Sequence, residues 1–452
     1  MGVFRILVAS LQSYEIKRIL KLNFYNMKKA LLLLLTLPFL LSGCKKDNTP
    51  DPDPETHTLI MYMIGTNEKI SYNLKGNISD VCASVNKTFP EGSKIFIYYH
   101  GYDERLGTPE CALYEVVPPT ESGVASTLRM HEEYDFERAS TSGAVIKSLI
   151  DKVKGLSKTD TYGMAFLGHS TGWFPAEFSL NEPQRSQGGA PVMKHDFSRP
   201  EESMTRAFGP TPRDAWGNVS DIVAGVSGAN LEYLMFDMCF MSSAEVLYDL
   251  RGSAKYILGT PAEILINGFP YRRVIVPLFS KKTDYSFAER LSDISEAIVE
   301  YYGSGGAGHE DKDYWAASIT VVETAKIDAF AQSVKDIFAA KDKTFDESRV
   351  NDITYIQYLE LIPDHAFFDL KDYLGKICSD QTLLSKFDTS LADMIVKEYH
   401  TPYTYSGYGE TGRVQLNRFC GLSTYIPRDK YPVMKAAYNN TAWAKFVLPA
   451  AQ

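Results

Sequence analysis

Between residues 58 and 322, short runs rich in β-branched and aromatic residues alternate with longer stretches of helical periodicity, and this alternation most restricts the fold. The strand-like runs are 58–64, 94–100, 112–117, 162–168, 231–236, 256–260 and 315–322, with a last one at 422–426. Helical patterns fall at 74–85, 139–153, 243–250, 286–301 and 325–340. Parallel strands need a crossover, usually a helix, so the order predicts an α/β fold with a mostly parallel sheet covered on both faces. At 452 residues the chain is long for one domain. The pattern divides it into a catalytic-size domain at 58–275 and a mainly helical C-terminal subdomain at 276–452.

The front end reads as an address. Met27-Lys28-Lys29 precedes an apolar run at 30–41, too short to anchor as a membrane span, and small residues follow it. Leu41-Ser42-Gly43-Cys44 resembles a bacterial lipobox, whose cysteine is diacylated and becomes the mature N-terminus. Residues 1–44 are therefore expected to be a signal peptide with lipidation at Cys44, with the true start at Met27. Residues 45–57, with alternating Pro and Asp at 50–54, lack apolar periodicity and are expected to tether the folded part to a membrane. The expected location is the cell envelope, at the outer membrane or cell surface.

Net charge is −9, and removing residues 1–43 takes away six basic residues and one acidic one, leaving about −14. Such a balance does not suggest a nucleic-acid partner, and none is expected. The six cysteines, at 44, 82, 111, 239, 378 and 420, form no C-x-x-C pair or Cys/His cluster at zinc spacing, so no metal site is expected. Disulfides among Cys82, Cys111, Cys378 and Cys420 stay open for an exported protein, beside the plainer reading of buried free thiols.

Two strings at strand ends carry the chemistry. They are G-H-S-T-G-W at 168–173 and F-D-M-C-F-M-S-S-A-E at 236–245. In an open α/β sheet such positions lie where ligands bind. His169 is a candidate acid and base and Cys239 a candidate nucleophile. Ser242-x-x-Glu245 reads as a capping box starting a helix just beyond Cys239, whose N-terminal dipole would favour the thiolate. Gly168 to Gly172 also fits G-x-S-x-G, the elbow of serine α/β-hydrolases, with Ser170 as nucleophile and His100-Gly101 as an oxyanion segment. The elbow should lead at once into a helix, whereas Trp173-Phe174-Pro175 and a long polar loop follow. That loop, 181–218, is rich in Gly, Pro, Ser and basic residues and separates the two strings.

The strings H-S-T-G-W and F-D-M-C-F-M-S-S-A-E-V-L-Y-D-L-R, with P-A-E-I-L-I-N-G-F-P-Y at 261–271 and G-L-S-T-Y-I-P at 421–427, resemble the clostripain family of cysteine peptidases over about residues 58–430. The resemblance implies a caspase-like α/β sandwich and a peptidase that cuts after Arg or Lys. It makes His169 the catalytic histidine and Cys239 the nucleophile. Asp237 becomes the acid receiving the substrate's basic side chain, while Trp173 and 268–271 line the site. Ser170 stands where the family usually has Gly, and its backbone N–H is assigned to the oxyanion. A second acidic pocket residue is not assigned by the resemblance; Glu263 and Asn267 lie in the segment where the family has it. Some members cut themselves between the catalytic residues, which makes Arg185 the first self-cleavage candidate. The expected enzyme is a monomer acting on proteins or peptides without a required cofactor, calcium being left open. The alternatives are a catalytically silent binding lipoprotein of the same fold and a serine hydrolase.

Overall fold

The computed structural model describes residues 55–66, 68–103, 107–174, 208–209, 211, 216–306, 315–342, 350, 355–358, 365–406 and 413–449. The leader, Met27, Cys44, most of the tether and Arg185 lie outside the described residues. Among the described residues, sixteen strands run in chain order. They are β1 (His57–Gly65), β2 (Lys94–Tyr102), β3 (Pro109–Val117), β4 (Thr127–Glu133), β5 (Thr161–Leu167), β6 (His169–Ser170), β7 (Phe208–Gly209) and β8 (Leu231–Asp237). Then come β9 (Ala254–Gly259), β10 (Ser318–Glu323), β11 (Tyr355–Tyr358), β12 (His365–Asp369), β13 (Ile395–His400), β14 (Tyr403–Tyr405), β15 (Arg413–Gln415) and β16 (Ser423–Thr424).

Nine of these form one sheet in the order β13-β10-β9-β8-β5-β1-β2-β3-β4. Its centre is parallel from β9 through β8, β5 and β1 to β2. Both borders are antiparallel. The fold is therefore α/β with a mostly parallel central sheet, as the alternation predicts. Among the described residues beyond 275, helices alternate with strands, and β10 and β13 join the same sheet. His57, expected as the last tether residue, is buried at the start of β1.

Strand alternation distributes side chains to two cores. In β1, Leu59, Met61 and Met63 join one, while Ile60, Tyr62 and Ile64 join the other. Helices Glu68–Ser84, Tyr271–Leu278 and Phe287–Gly303 supply the first core. Helices Gly143–Leu156, Val219–Val226, Ala244–Leu250 and Ile327–Ala340 supply the second. The second core also takes in β12 and the C-terminal helices Pro432–Asn439 and Ala442–Val447. Burying both faces explains why the central strands read as nearly continuous apolar runs.

Candidate active site

The register of the central sheet brings the two sequence strings together. β5 and β8 are parallel neighbours, and Leu167 pairs with Asp237. His169 and Cys239 each lie two residues beyond that pair, at the carboxyl edge of adjacent strands. Past β5, His169 and Ser170 turn into β6 and pair with Gly209 and Phe208 of β7, so the end of the polar loop returns to the histidine.

The loops after the two strands touch. Gly172 has φ of +65°, and a Cβ there would lie 2.9 Å from the carbonyl oxygen of Phe240. Phe240, directly after Cys239, is itself left-handed at φ +61°. For a bulky L-residue this costs roughly 1–2 kcal/mol. Phe240 N–H donates to Ala262 O at 2.8 Å, and its ring stacks on Phe367 at 4.2 Å with planes 8° apart. A stacked pair contributes about 0.5–1.5 kcal/mol, enough to offset much of that strain. The turn thus holds Cys239 against the segment that follows β9.

Ile264 N–H reaches the Cys239 Sγ at 3.5 Å. Burial pushes this thiol above its ordinary range, and the carboxylate of Glu263 adds to the shift. The expected help from a helix N-terminus is corrected here. Helix Ala244–Leu250 starts five residues later, and its cap is Ser243, whose Oγ accepts from Val246 N–H, rather than Ser242. The Glu245 side chain turns away from any capping box and accepts from Thr424 and Tyr425. The dipole of so short a helix, confined to its first turn, does not act on Cys239. Burial also lowers His169 to about 4. Burial therefore disfavours the charged form of both groups.

Asp237 ends β8 and shares the strand face of Tyr233 and Met235, beneath the segment that leads into helix Tyr271–Leu278. Its Oδ2 accepts from Phe269 N–H at 2.8 Å and from the Tyr271 hydroxyl at 3.1 Å, while Oδ1 is buried without a partner. Burial raises this carboxyl to about 7. Gly268, at φ +69°, leaves room above it: a Cβ there would sit 2.6 Å from Oδ2 and 2.9 Å from Asn77 Nδ2. Asn77, on helix Glu68–Ser84, was not marked by any sequence signal. Glu263 is buried beside Cys239, and Asn267 has a buried Oδ1 without a hydrogen bond.

Other sequence candidates fall differently. Ser170 is buried, and its Oγ donates to the Met241 thioether at 3.2 Å and accepts from Gly172 N–H at 3.0 Å. No helix follows it through Phe174, so the elbow is not built. Its φ lies outside the left-handed region, so a Ser in place of Gly brings no backbone strain. His100 is buried between Ser140 Oγ and Phe136 O, occupied in the core rather than open to an oxyanion. Trp173, expected to line the substrate site, packs instead into an aromatic cluster with Phe174, Tyr425 and Tyr438 because its large ring is almost fully covered there. It anchors the loop beyond His169. Cys82, Cys111, Cys239, Cys378 and Cys420 are all free thiols. Among the described residues no group of three His, Cys, Asp or Glu side chains could hold a metal, and no helix is long and apolar enough to cross a membrane.

Comparison with known proteins bears on the family and the fold. The model of the clostripain family matches residues 213–445, which include Asp237 and Cys239. A secreted C11 cysteine protease from Bacteroides thetaiotaomicron, iotapain, is 25% identical, with 88% of this chain and 100% of that one covered and a TM-score of 0.69. An inactive zymogen C11 protease from Parabacteroides distasonis, 24% identical over 88% of this chain and 100% of that one, shares the fold with a TM-score of 0.67. So does a secreted C11 cysteine protease of B. thetaiotaomicron in complex with an irreversible peptide inhibitor, at 20% identity over 87% and 98% of the chains and a TM-score of 0.67. No curated protein sequence matches the chain. With the sheet, the paired strand ends and the family match in agreement, the chain belongs to the clostripain family and is a cysteine peptidase.

Proposed function

We propose that this peptidase works through a Cys239–His169 dyad and prefers substrates with Arg or Lys before the scissile bond. The observation that carries the reading is the Leu167–Asp237 register, which sets both side chains at neighbouring strand ends with a half-satisfied buried carboxyl two residues before the thiol. As Cys239 Sγ adds to the carbonyl carbon, its proton passes to His169, so charge separates only when substrate is present. Backbone N–H groups around Ser170 and Cys239 receive the oxyanion. His169 then protonates the leaving amine as the C–N bond breaks. It next takes a proton from water, which cleaves the thioester and returns the thiol.

Asp237 at about 7 ionises readily once a guanidinium or ammonium enters beside Oδ1, and the new ion pair offsets the cost of its burial. Support for an exported, lipid-anchored enzyme comes from the lipobox-like Leu41 to Cys44 string and from the secreted relative. Self-cleavage after Arg185 is expected from the specificity, supported by the pairing of Phe208 and Gly209, late in the 181–218 loop, with Ser170 and His169.

Purified protein tested on fluorogenic peptides ending in Arg, Lys, Ala and Asp decides the matter. Cys239→Ala is expected to lose at least about 10³-fold in kcat and to stay uncut at Arg185, and Ser170→Ala to keep most activity. Undiminished cleavage by Cys239→Ala would reject the dyad.

A further inference from the structure

Both catalytic loops rest on one platform built from the far C-terminal part of the chain. Phe367 of β12 stacks under Phe240 and meets Phe174 edge-on at 5.6 Å. Tyr425, just beyond β16, packs on Trp173 at 5.2 Å. β12 and β16 are paired through Phe368–Thr424 and Asp369–Ser423, so the two aromatic supports move together. The platform meets the segment after Cys239 through a parallel bridge between Ser243 and Ser423, with Ser423 N–H donating to Ser242 O at 3.4 Å.

One side chain fastens this junction. Glu245, fully buried in the first turn of helix Ala244–Leu250, accepts at Oε1 from Thr424 Oγ1 at 2.8 Å and from Tyr425 N–H at 2.9 Å. Its Oε2 is buried without a partner. A helix this short needs no buried carboxyl for its own capping, which Ser243 already supplies. Keeping one where desolvation opposes it requires a compensating purpose.

We infer that Glu245 is a positioning residue for the peptidase reaction, one that ties β16 to the nucleophile's helix and so fixes the Phe240 turn and the Trp173 loop at the spacing the dyad needs. It touches neither substrate nor reacting atoms. The chain of contacts runs from Glu245 through Thr424 and Phe368 to the Phe367 ring under Phe240, and through Tyr425 to Trp173. Loosening it shifts Cys239 relative to His169 without touching the Asp237 pocket. The loss therefore belongs in kcat, while binding of the basic side chain is spared.

The inference rests on the Cys239–His169 reading, and full-length Glu245→Ala, Glu245→Gln and Thr424→Val separate the two. The probes are a fluorogenic Arg peptide and iodoacetamide labelling of Cys239. Glu245→Ala is expected to lower kcat about 100-fold with KM changed by less than about threefold. Glu245→Gln, which keeps an acceptor at Oε1, restores kcat to within about tenfold of wild type, and Thr424→Val, losing one of two donors, falls between. Should Glu245→Ala fold poorly, Thr424→Val carries the same test. Equal, parallel losses in the Ala and Gln variants, or a normal kcat per folded molecule in Glu245→Ala and Thr424→Val, would overturn the positioning role while Cys239→Ala stays inactive. Cleavage surviving in Cys239→Ala would overturn both readings.

Discussion

The Asp237 carboxyl receives two hydrogen bonds at Oδ2 and none at Oδ1, and burial lifts it from 3.8 to about 7. A raised carboxyl stabilises the fold below its unfolded value, and that contribution is lost as pH rises towards about 7. Removing the group should therefore help more at high pH than at low. Asp237→Asn is expected to gain stability over wild type between pH 4 and pH 8 by up to about 4 kcal/mol, read from urea midpoints at the two pH values. The same variant should lower kcat/KM on Arg and Lys peptides by about 10²-fold or more, with far less effect on an Ala peptide. An identical stability difference at both pH values, or equal losses on every peptide, would make Asp237 a structural residue.

At the scale of elements, the loops after β5 and β8 meet because each carries a left-handed residue, Gly172 in one and Phe240 in the other. Gly172→Ala puts a methyl group against the Phe240 carbonyl in a conformation that disfavours L-residues. It should cost about 1–3 kcal/mol and lower kcat more than tenfold, with far-UV circular dichroism unchanged. Unaltered activity would show that the loop contact does not set the dyad. Much of this geometry was legible in the sequence. The apolar runs of β1, β2, β5 and β8 stop within one or two residues of their observed ends, because both faces are buried and the pattern breaks where the sheet does. β4 and β13 were not legible: they are border strands with mainly exposed or half-buried side chains and no alternation to read. Helix Tyr271–Leu278 hid behind Pro277, near its end. The cap at Ser243 rather than Ser242 was set by Glu245 finding partners 179 and 180 residues away, information no local pattern holds.

Across the whole molecule, one nine-stranded sheet draws on sequence from both sides of residue 275, and the platform under the active site comes from residues 367–425. The parallel centre delivers His169 and Cys239 to one edge, and the C-terminal part holds them there. Burial lowers His169 to about 4 and raises the Cys239 thiol, so in the proposed dyad charge separates only as substrate binds. The most direct test of this account is to treat the protein with a peptide chloromethyl ketone ending in Arg and to map the adduct by mass spectrometry. The account predicts a single adduct on Cys239, formed at least about 10²-fold more slowly in His169→Ala. An adduct on Ser170 or another residue, or labelling of Cys239 that ignores loss of His169, would contradict it.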